Sequence, residues 1–560
     1  MIDDIALTRR DALQLGLAGA AALLAGAPAL AEEQASGLVF ADRDGTGRPG
    51  PQNPGLVGVL VSNGRDVVAT DANGRWRLPA PSPCVFFVIK PAGHMPPVDP
   101  LTGSPRFYYL HSPDGSPAAL GLTFAGVAPT GPLPASIDFA LKPAEEPDAF
   151  EVVLFTDPQP ETEVEVDYIR EDVIEALAGT KAKFGLTAGD IMFDDLSLYD
   201  RYNRIIGTIG LPWWNIGGNH DLNFEAPDRT LSRETFKRVF GPNYYAFFYA
   251  KTLFLMLDDV DYLGHDPARP KGGGKYEGRI DATQLEFIRQ VLAQTPAETL
   301  IVVVMHIPIV NVIDPQADYD RLVNRDALFA LFEGRKYTVS FSGHTHTTEH
   351  IYFDASHGWT GEGAHHHHIL TAVSGSWWSG PLDHRGVAVA DSRDGTPNGF
   401  HILSVDGLAY KTRFVPLKEP NARQMRLSLD SRFHRASPEI EREFRPGQLL
   451  TSPIAKATLG AATLIANVFD GGPNTKVVMR IGDRAPIPMQ RNTASDPFVE
   501  ELYARNRAVT KPWVKAEVSS HIWTARLPAD LAVGAHRLIV EAATEYGDKV
   551  SGRLALEITG

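Results

Sequence analysis

Leu300-Ile301-Val302-Val303-Val304-Met305-His306 is an unbroken apolar run that stops at a histidine. Six apolar residues without alternation suit a strand buried on both faces, the habit of parallel sheets covered by helices. Three further runs end in the same way. Glu151-Val152-Val153-Leu154-Phe155 leads into Asp157-Pro158-Gln159, Phe184-Gly185-Leu186-Thr187-Ala188 into Gly189-Asp190, and Tyr337-Thr338-Val339-Ser340-Phe341 into Gly343-His344-Thr345-His346. Ligands of open α/β sheets gather beyond the carboxyl ends of the strands, which is where each of these polar groups falls. Helical signals lie between the runs. Asp281-Ala282-Thr283-Gln284 has the form of a capping box, with Leu285, Ile288 and Leu292 following on one helical face. Asp326 to Phe332 reads as a second helix stopped by Gly334. Residues 150–413 therefore read as one α/β domain.

A further string, Gly218-Asn219-His220-Asp221, adds an amide oxygen and an imidazole to this set. Carboxylate, amide and imidazole donors without thiolate suit manganese, iron or zinc in a working site and argue against a structural thiolate cage. Singly, each motif has a bland reading: Asp-Pro starts turns, and a lone histidine before Pro308 is more often packed in a core. Their joint order is what points to chemistry.

That order resembles the calcineurin-like metallophosphoesterase superfamily, whose blocks run D-x-H, G-D, G-N-H-[DE], H and G-H-x-H. Four blocks match, and Gln159 stands where the first block has histidine. The resemblance implies a two-sheet β-sandwich flanked by helices, and hydrolysis of phosphoesters by hydroxide held on a dinuclear metal centre. It implies Asp190 as the bridging ligand, Asp157, Gln159 and His346 around one ion, and Asn219, His306 and His344 around the other. Asn219 also steadies the phosphate, and His220 assists the leaving group, with Asp194 or Asp195 as its orienting partner. Two divalent ions (Mn, Fe or Zn) are the implied cofactors. An uncharged amide at Gln159 should loosen one ion, and losing it would leave a mononuclear enzyme. The arginine-bearing signature of Ser/Thr protein phosphatases, G-D-x-x-D-R-G, is missing after Gly189-Asp190.

Outside this domain the chain turns β-rich. Residues 37–145 carry short strand-like runs ended by Asn63-Gly64 and Asn73-Gly74 turns, and resemble the prealbumin-like β-sandwich that precedes the catalytic domain in a bacterial exported branch of the superfamily. Asp42-Arg43-Asp44-Gly45 reads as a turn rather than a calcium loop. Residues 420–560, with Thr463 to Phe469 and His536 to Ala542 as strands, resemble the C-terminal β-domain of that branch. Two insertions stand near the end of the α/β domain. His365 to His368 either directs one or two imidazoles to the cleft or is an alternating strand without a role; Trp377 and Trp378 either offer an aromatic platform to substrate or pack a domain seam.

Thr8-Arg9-Arg10-Asp11 precedes an apolar, alanine-rich stretch ending at Ala29-Leu30-Ala31, which looks like a twin-arginine export signal over residues 1–31. The expected location is periplasmic or extracellular, with no transmembrane segment in the mature chain. Cys84 is the one cysteine, so no intramolecular disulfide can form. The net charge is −15, and −14 once residues 1–31, with two Arg and three Asp, are removed. An acidic chain without a basic tract is not expected to bind nucleic acid. The expected partner is a phosphorylated small-molecule or envelope substrate. Two other readings stay open: a nucleotide or pyrophosphate hydrolase, and a non-catalytic envelope-binding protein with a vestigial metal site.

Overall fold

The computed structural model describes residues 33–266, 273–417, 423–429 and 453–560; the expected export signal lies outside them. The four runs are strands, Ala149–Phe155, Phe184–Ala188, Leu300–Val304 and Thr338–Ser342. They belong to two sheets. One has five strands in the order Trp213–Ile216, Phe184–Ala188, Ala149–Phe155, Gly399–Asp406, Ala409–Pro416, the first three parallel. The other has six, with Thr252–Met256, Leu300–Val304, Thr338–Ser342 and His365–Ile369 running parallel at its centre. Burial on both faces accounts for the unbroken apolar runs. Val152 and Leu154 point into the large core shared with the six-stranded sheet, while Val153 and Phe155 point to a second core beneath the helices Glu163–Ile169 and Tyr199–Gly207.

The helix Ala282–Ala293 begins as its cap predicts, Asp281 accepting from the Thr283 and Gln284 amides at 2.6 and 3.1 Å. The capping box is only half made. The Gln284 side chain turns inward to bond both the amide and the carbonyl of Asp258, because those buried backbone groups would otherwise lack partners. Ile288 and Leu292 face the core with Phe287 and Val291, and Leu285 lies at its margin. The second helix is Arg325–Ala330.

A β-rich domain flanks the sheets on either side; the C-terminal one, expected to be all-β, also carries the helix Pro497–Arg505, which starts on the Asp496 cap with proline at its first position. The N-terminal one pairs two four-stranded sheets, and its core is continuous with the catalytic one through contacts such as Phe107 against Trp214 and Phe87 against Phe287. The Asp42–Gly45 segment is a turn in which Asn53 Nδ2 donates to Asp44 Oδ1 at 2.7 Å. Lys90 reaches from this domain to Glu146 at 2.5 Å and to the Phe248 carbonyl at 2.6 Å, with both charges fully enclosed. Removing one partner of a buried pair leaves an uncompensated charge, so Glu146→Ala should cost about 3–5 kcal/mol. Denaturant unfolding of the full chain checks this, and an unchanged midpoint would contradict it.

The C-terminal domain packs a four-stranded on a five-stranded sheet around its own core. It is anchored on the catalytic domain by buried polar groups. Asp394 accepts from the Thr348 amide at 2.7 Å and pairs with His521 at 2.9 Å, while Arg426 pairs with Asp391 at 2.6 Å. No helix among the described residues is long and apolar enough to cross a membrane.

Candidate metal centre

Asp157, Asp190, Asn219, His306 and His344 each lie one to three residues beyond the carboxyl end of a parallel strand, and the ends of the two sheets meet. These side chains converge there. Asp190 Oδ2 lies 3.2 Å from His306 Nε2 and accepts from Gln159 Nε2 at 2.5 Å, and Asp190 Oδ1 accepts from the His220 amide at 2.9 Å. His306 Nε2 is 3.1 Å from Asn219 Oδ1. His346 Nε2 is 3.5 Å from Asp157 Oδ1, and both Asp157 oxygens accept from the His344 amide. Asp190, His306 and His344 alone bring three ligand atoms within 4.8 Å of one another.

The backbone here is strained. Of nine non-glycine residues with positive φ among the described residues, eight are Asp157, Gln159, Asp190, Asp194, His344, His346, Trp377 and Trp378. Such conformations persist only where the surroundings over-determine them, and they cluster at functional sites. Two motif glycines are required by space rather than by φ. A Cβ at Gly218 would meet Asp190 Oδ1 at 2.1 Å, and one at Gly343 would meet Thr156 Oγ1 at 1.6 Å and Asp157 Oδ2 at 2.2 Å.

The residues present fit metal ions. Gln159 Oε1 is a buried acceptor with no hydrogen-bond partner, which a cation would satisfy. His306 Nδ1 donates to the Ala188 carbonyl at 2.9 Å and His346 Nδ1 to the Gly375 carbonyl at 2.5 Å, so each ring turns Nε2 toward the carboxylates. That is how a ligating histidine is oriented from behind. Burial would raise the Asp190 acid, but His306, His220 and His344 hold it well below the usual carboxylate range. Burial would likewise lower His306, yet Asp190 lifts it to about 10, whereas burial wins at His346 and takes it down to about 4.

His220 stands at the mouth of the centre. Its Nδ1 pairs with Asp194 Oδ1 at 2.7 Å and its ring stacks on Phe193. Burial opposes the charged ring, but Asp194 and Asp190 prevail and raise it to about 9. Asp195 does not share this task. It caps the following turn by accepting from the Ser197 amide and hydroxyl, because a one-residue step along the loop points it the other way. Trp377 packs against the C-terminal domain, as the seam reading expects, and stacks on His346 with centroids 3.9 Å apart. Trp378 is instead buried, its Nε1 donating to the Pro158 carbonyl at 2.6 Å. It braces the loop between Asp157 and Gln159 and offers no face to a substrate. His365 to His368 sit inside their strand away from the centre, His365 and His367 bonding Ser340 on one face.

A cavity of about 150 Å³ opens on Gln159, Asp190, Asn219, His220, His344 and His346. Its wall also includes Asp320, Tyr276 and Arg393, which no periodicity or motif singles out. Asp320 Oδ1 holds His344 Nε2 at 2.9 Å. Arg393 donates to the Thr345 carbonyl at 3.3 Å and pairs with Glu517 of the C-terminal domain. Asp221 is the hidden organiser. Its carboxylate accepts from the Gly218, Ile191 and Met192 amides at 2.9–3.1 Å and from the Tyr199 hydroxyl at 2.8 Å, tying the Gly218 loop to the loop carrying Asp190. Asp221→Asn removes the charge and one acceptor and should cost about 2 kcal/mol while lowering metal occupancy. Denaturant unfolding and metal analysis read both effects, and no change in either would remove Asp221 from this role.

Three family matches fall in order along the chain: N terminal of calcineurin-like phosphoesterase at residues 43–125, calcineurin-like phosphoesterase at 151–348, and C terminal of calcineurin-like phosphoesterase at 367–549. The chain belongs to the calcineurin-like phosphoesterases. It is thus a metal-dependent phosphoester hydrolase of mixed α/β fold with β-domains on both sides. No curated protein matches it. Among solved structures it is similar to the purple acid phosphatase PPD1 isolated from yellow lupin (Lupinus luteus) seeds, at 11% identity and a TM-score of 0.36, covering 65% of this chain and 67% of that one. Within this calcineurin-like phosphoesterase, the candidate ligands Asp190, Asn219, His306, His344 and His346 all come from the 151–348 match, while Trp377 and Arg393 come from the C-terminal one.

Proposed function

We propose that this chain hydrolyses a phosphorylated small molecule at a centre of two divalent ions, after export through the twin-arginine route. The observation that carries the reading is the convergence of the candidate ligands, several of them strained, on Asp190, whose Oδ2 meets both Gln159 and His306. Asp157, Gln159 and His346 would hold one ion, Asn219, His306 and His344 the second, and Asp190 both. Such a pair supplies hydroxide near neutral pH and neutralises phosphate charge.

The chain's own residues do the remainder. Asp190 and Asp157 set the negative charge that makes the ligand cage selective for cations. His220, fixed through Nδ1 by Asp194, has its other nitrogen to give a proton to the departing alkoxide. Arg393, held by Glu517 and the Thr345 carbonyl, lines the cavity and would offer its charge to a phosphate oxygen. The Phe193 ring, with Trp513 stacked on it at 5.5 Å from the C-terminal domain, flanks His220 and suits the organic part of the ester. Export is supported by Thr8-Arg9-Arg10 ahead of the apolar stretch.

The test is hydrolysis of paired chromogenic phosphate mono- and diesters by the chain from Glu32, with manganese, with chelator, and with each metal restored in turn. Turnover that disappears with chelator and returns with a divalent ion is the expected result, and the ester ratio assigns the class. A folded, metal-loaded protein that is silent on every ester and on nucleotide and pyrophosphate substrates would overturn it. Export is checked separately by fractionating cells that express the full chain with Arg9 and Arg10 both changed to Lys; unchanged arrival in the periplasm would refute that route.

A further inference from the structure

Behind the sheet, away from the catalytic cavity, three imidazoles converge on a single carboxylate oxygen. Asp470 Oδ1 lies 3.1 Å from His350 Nε2, 3.1 Å from His368 Nε2 and 3.2 Å from His401 Nε2. His350 and His368 are directly opposed across the antiparallel pair Glu349–Phe353 and His365–Ile369 of the six-stranded sheet. His401 comes from Gly399–Asp406 in the five-stranded sheet, and Asp470 from the turn that follows Thr463–Val468 in the C-terminal domain. The three rings are buried to within 3% of full enclosure, and the Asp470 side chain is 13% exposed.

We propose that His350, His368, His401 and Asp470 form a second metal site, structural rather than catalytic, which takes a zinc-class divalent ion and fastens the C-terminal domain to both sheets. Four features support it. Donor atoms around a tetrahedral zinc ion with bonds of about 2.0–2.1 Å stand roughly 3.3–3.4 Å apart, close to the spacing between the carboxylate oxygen and each ring nitrogen here. His368 Nε2 is a fully buried nitrogen whose neighbour is Asp470 Oδ1 at 3.1 Å, as a ligand atom would be placed. Two of the three rings are supported from behind: His350 Nδ1 bonds His366 Nε2 at 2.9 Å, His366 Nδ1 bonds the Tyr410 hydroxyl at 2.9 Å, and His368 Nδ1 meets Thr412 Oγ1 at 3.3 Å. A relay of this kind fixes the tautomer that leaves Nε2 free for a metal. Finally, His350, His368 and Asp470 bring three ligand atoms within 4.8 Å of one another in an enclosed place, with His401 reaching the same carboxylate oxygen from the other sheet, which suits a structural rather than a catalytic site. The histidine run His365 to His368 thereby acquires a division of labour. His368 binds the ion and His366 orients a ligand, while His365 and His367 hold the neighbouring strand through Ser340.

Equilibrium dialysis against zinc, with metal analysis of the folded full-length mature protein, tests the site in four chains: wild type, Asp190→Asn, Asp470→Asn and the double variant. Asp470→Asn should remove one bound equivalent from either parent, raising the dissociation constant of that equivalent by about 100-fold or more. Cobalt loaded into Asp190→Asn should give the intense visible absorption of a tetrahedral ion, and the double variant should lose it. His401→Gln is the second variant, should Asp470→Asn not fold. A folded Asp190→Asn chain that binds no zinc, or equal stoichiometry with and without Asp470, would overturn the proposal. Neither outcome depends on hydrolysis, so failure here leaves the catalytic reading to its own test.

Discussion

Asp190→Asn is expected to lower phosphoester hydrolysis by at least about a thousandfold, the scale of removing a main electrostatic element from a preorganised site, and to take bound metal out of the catalytic centre. The substitution changes almost no volume. What it changes is charge at the one position that both halves of the ligand set share, since Asp190 faces His306 and Gln159 through Oδ2 and the His220 amide through Oδ1. A neutral amide there cannot balance two divalent ions, and its NH2 group would oppose either His306 or the Gln159 amide. The fold should survive, because the loop is held by Asp221 through backbone amides that the change does not touch. Metal analysis, circular dichroism and turnover on a chromogenic ester read the three parts. Wild-type turnover with full metal content would remove Asp190 from the centre and with it the two-ion reading.

Gln159 bears on the same balance. Its amide donates to Asp190 and leaves Oε1 unpaired, so the first ion meets an uncharged and weaker donor than imidazole. Gln159→His should therefore tighten that ion, seen as slower loss of one metal equivalent to chelator, with the second equivalent unaffected. Equal loss rates in the two proteins would place the first ion elsewhere.

What could be read from the sequence follows from how the information is stored. The strands were legible because both faces are buried, which writes burial into consecutive residues rather than into alternation; Leu300–Val304 is the plainest case. The candidate ligands could be grouped from the sequence because they sit immediately after those strands, where chain order and spatial order coincide. Asp320 and Arg393 were not, since they reach the cavity from loops whose course is set by backbone bonds to Gly278 and by the pairing with Glu517 of the C-terminal domain rather than by local pattern. Asp194 and Asp195 are equivalent on paper, and a positive φ at Asp194 decides which of them meets His220. Trp377 and Trp378 separate for the same kind of reason: two successive left-handed residues turn one ring onto His346 and the other into the core. The partner of the histidine run is beyond any local signal, because Asp470 stands about a hundred residues downstream in another domain.

His220→Asn should lower turnover by roughly 10²–10⁴-fold on alkyl phosphoesters, the range of general acid assistance, while leaving bound metal unchanged. The reason lies in what the ring is attached to. Its Nδ1 is fixed by Asp194, its plane by Phe193, and it contributes no atom to the close group formed by Asp190, His306 and His344. Losing it removes a proton donor and not a ligand. An alkoxide departs badly without a proton, whereas nitrophenolate is stable enough to leave without one. The defect should therefore shrink toward unity on nitrophenyl esters and grow with the basicity of the leaving group, and this slope separates acid catalysis from simple misplacement of the substrate. Asp194→Asn should show the same slope in weaker form, since it frees the ring without deleting it. An equal loss on alkyl and nitrophenyl esters, or a loss accompanied by departure of metal, would instead make His220 a structural support of the centre.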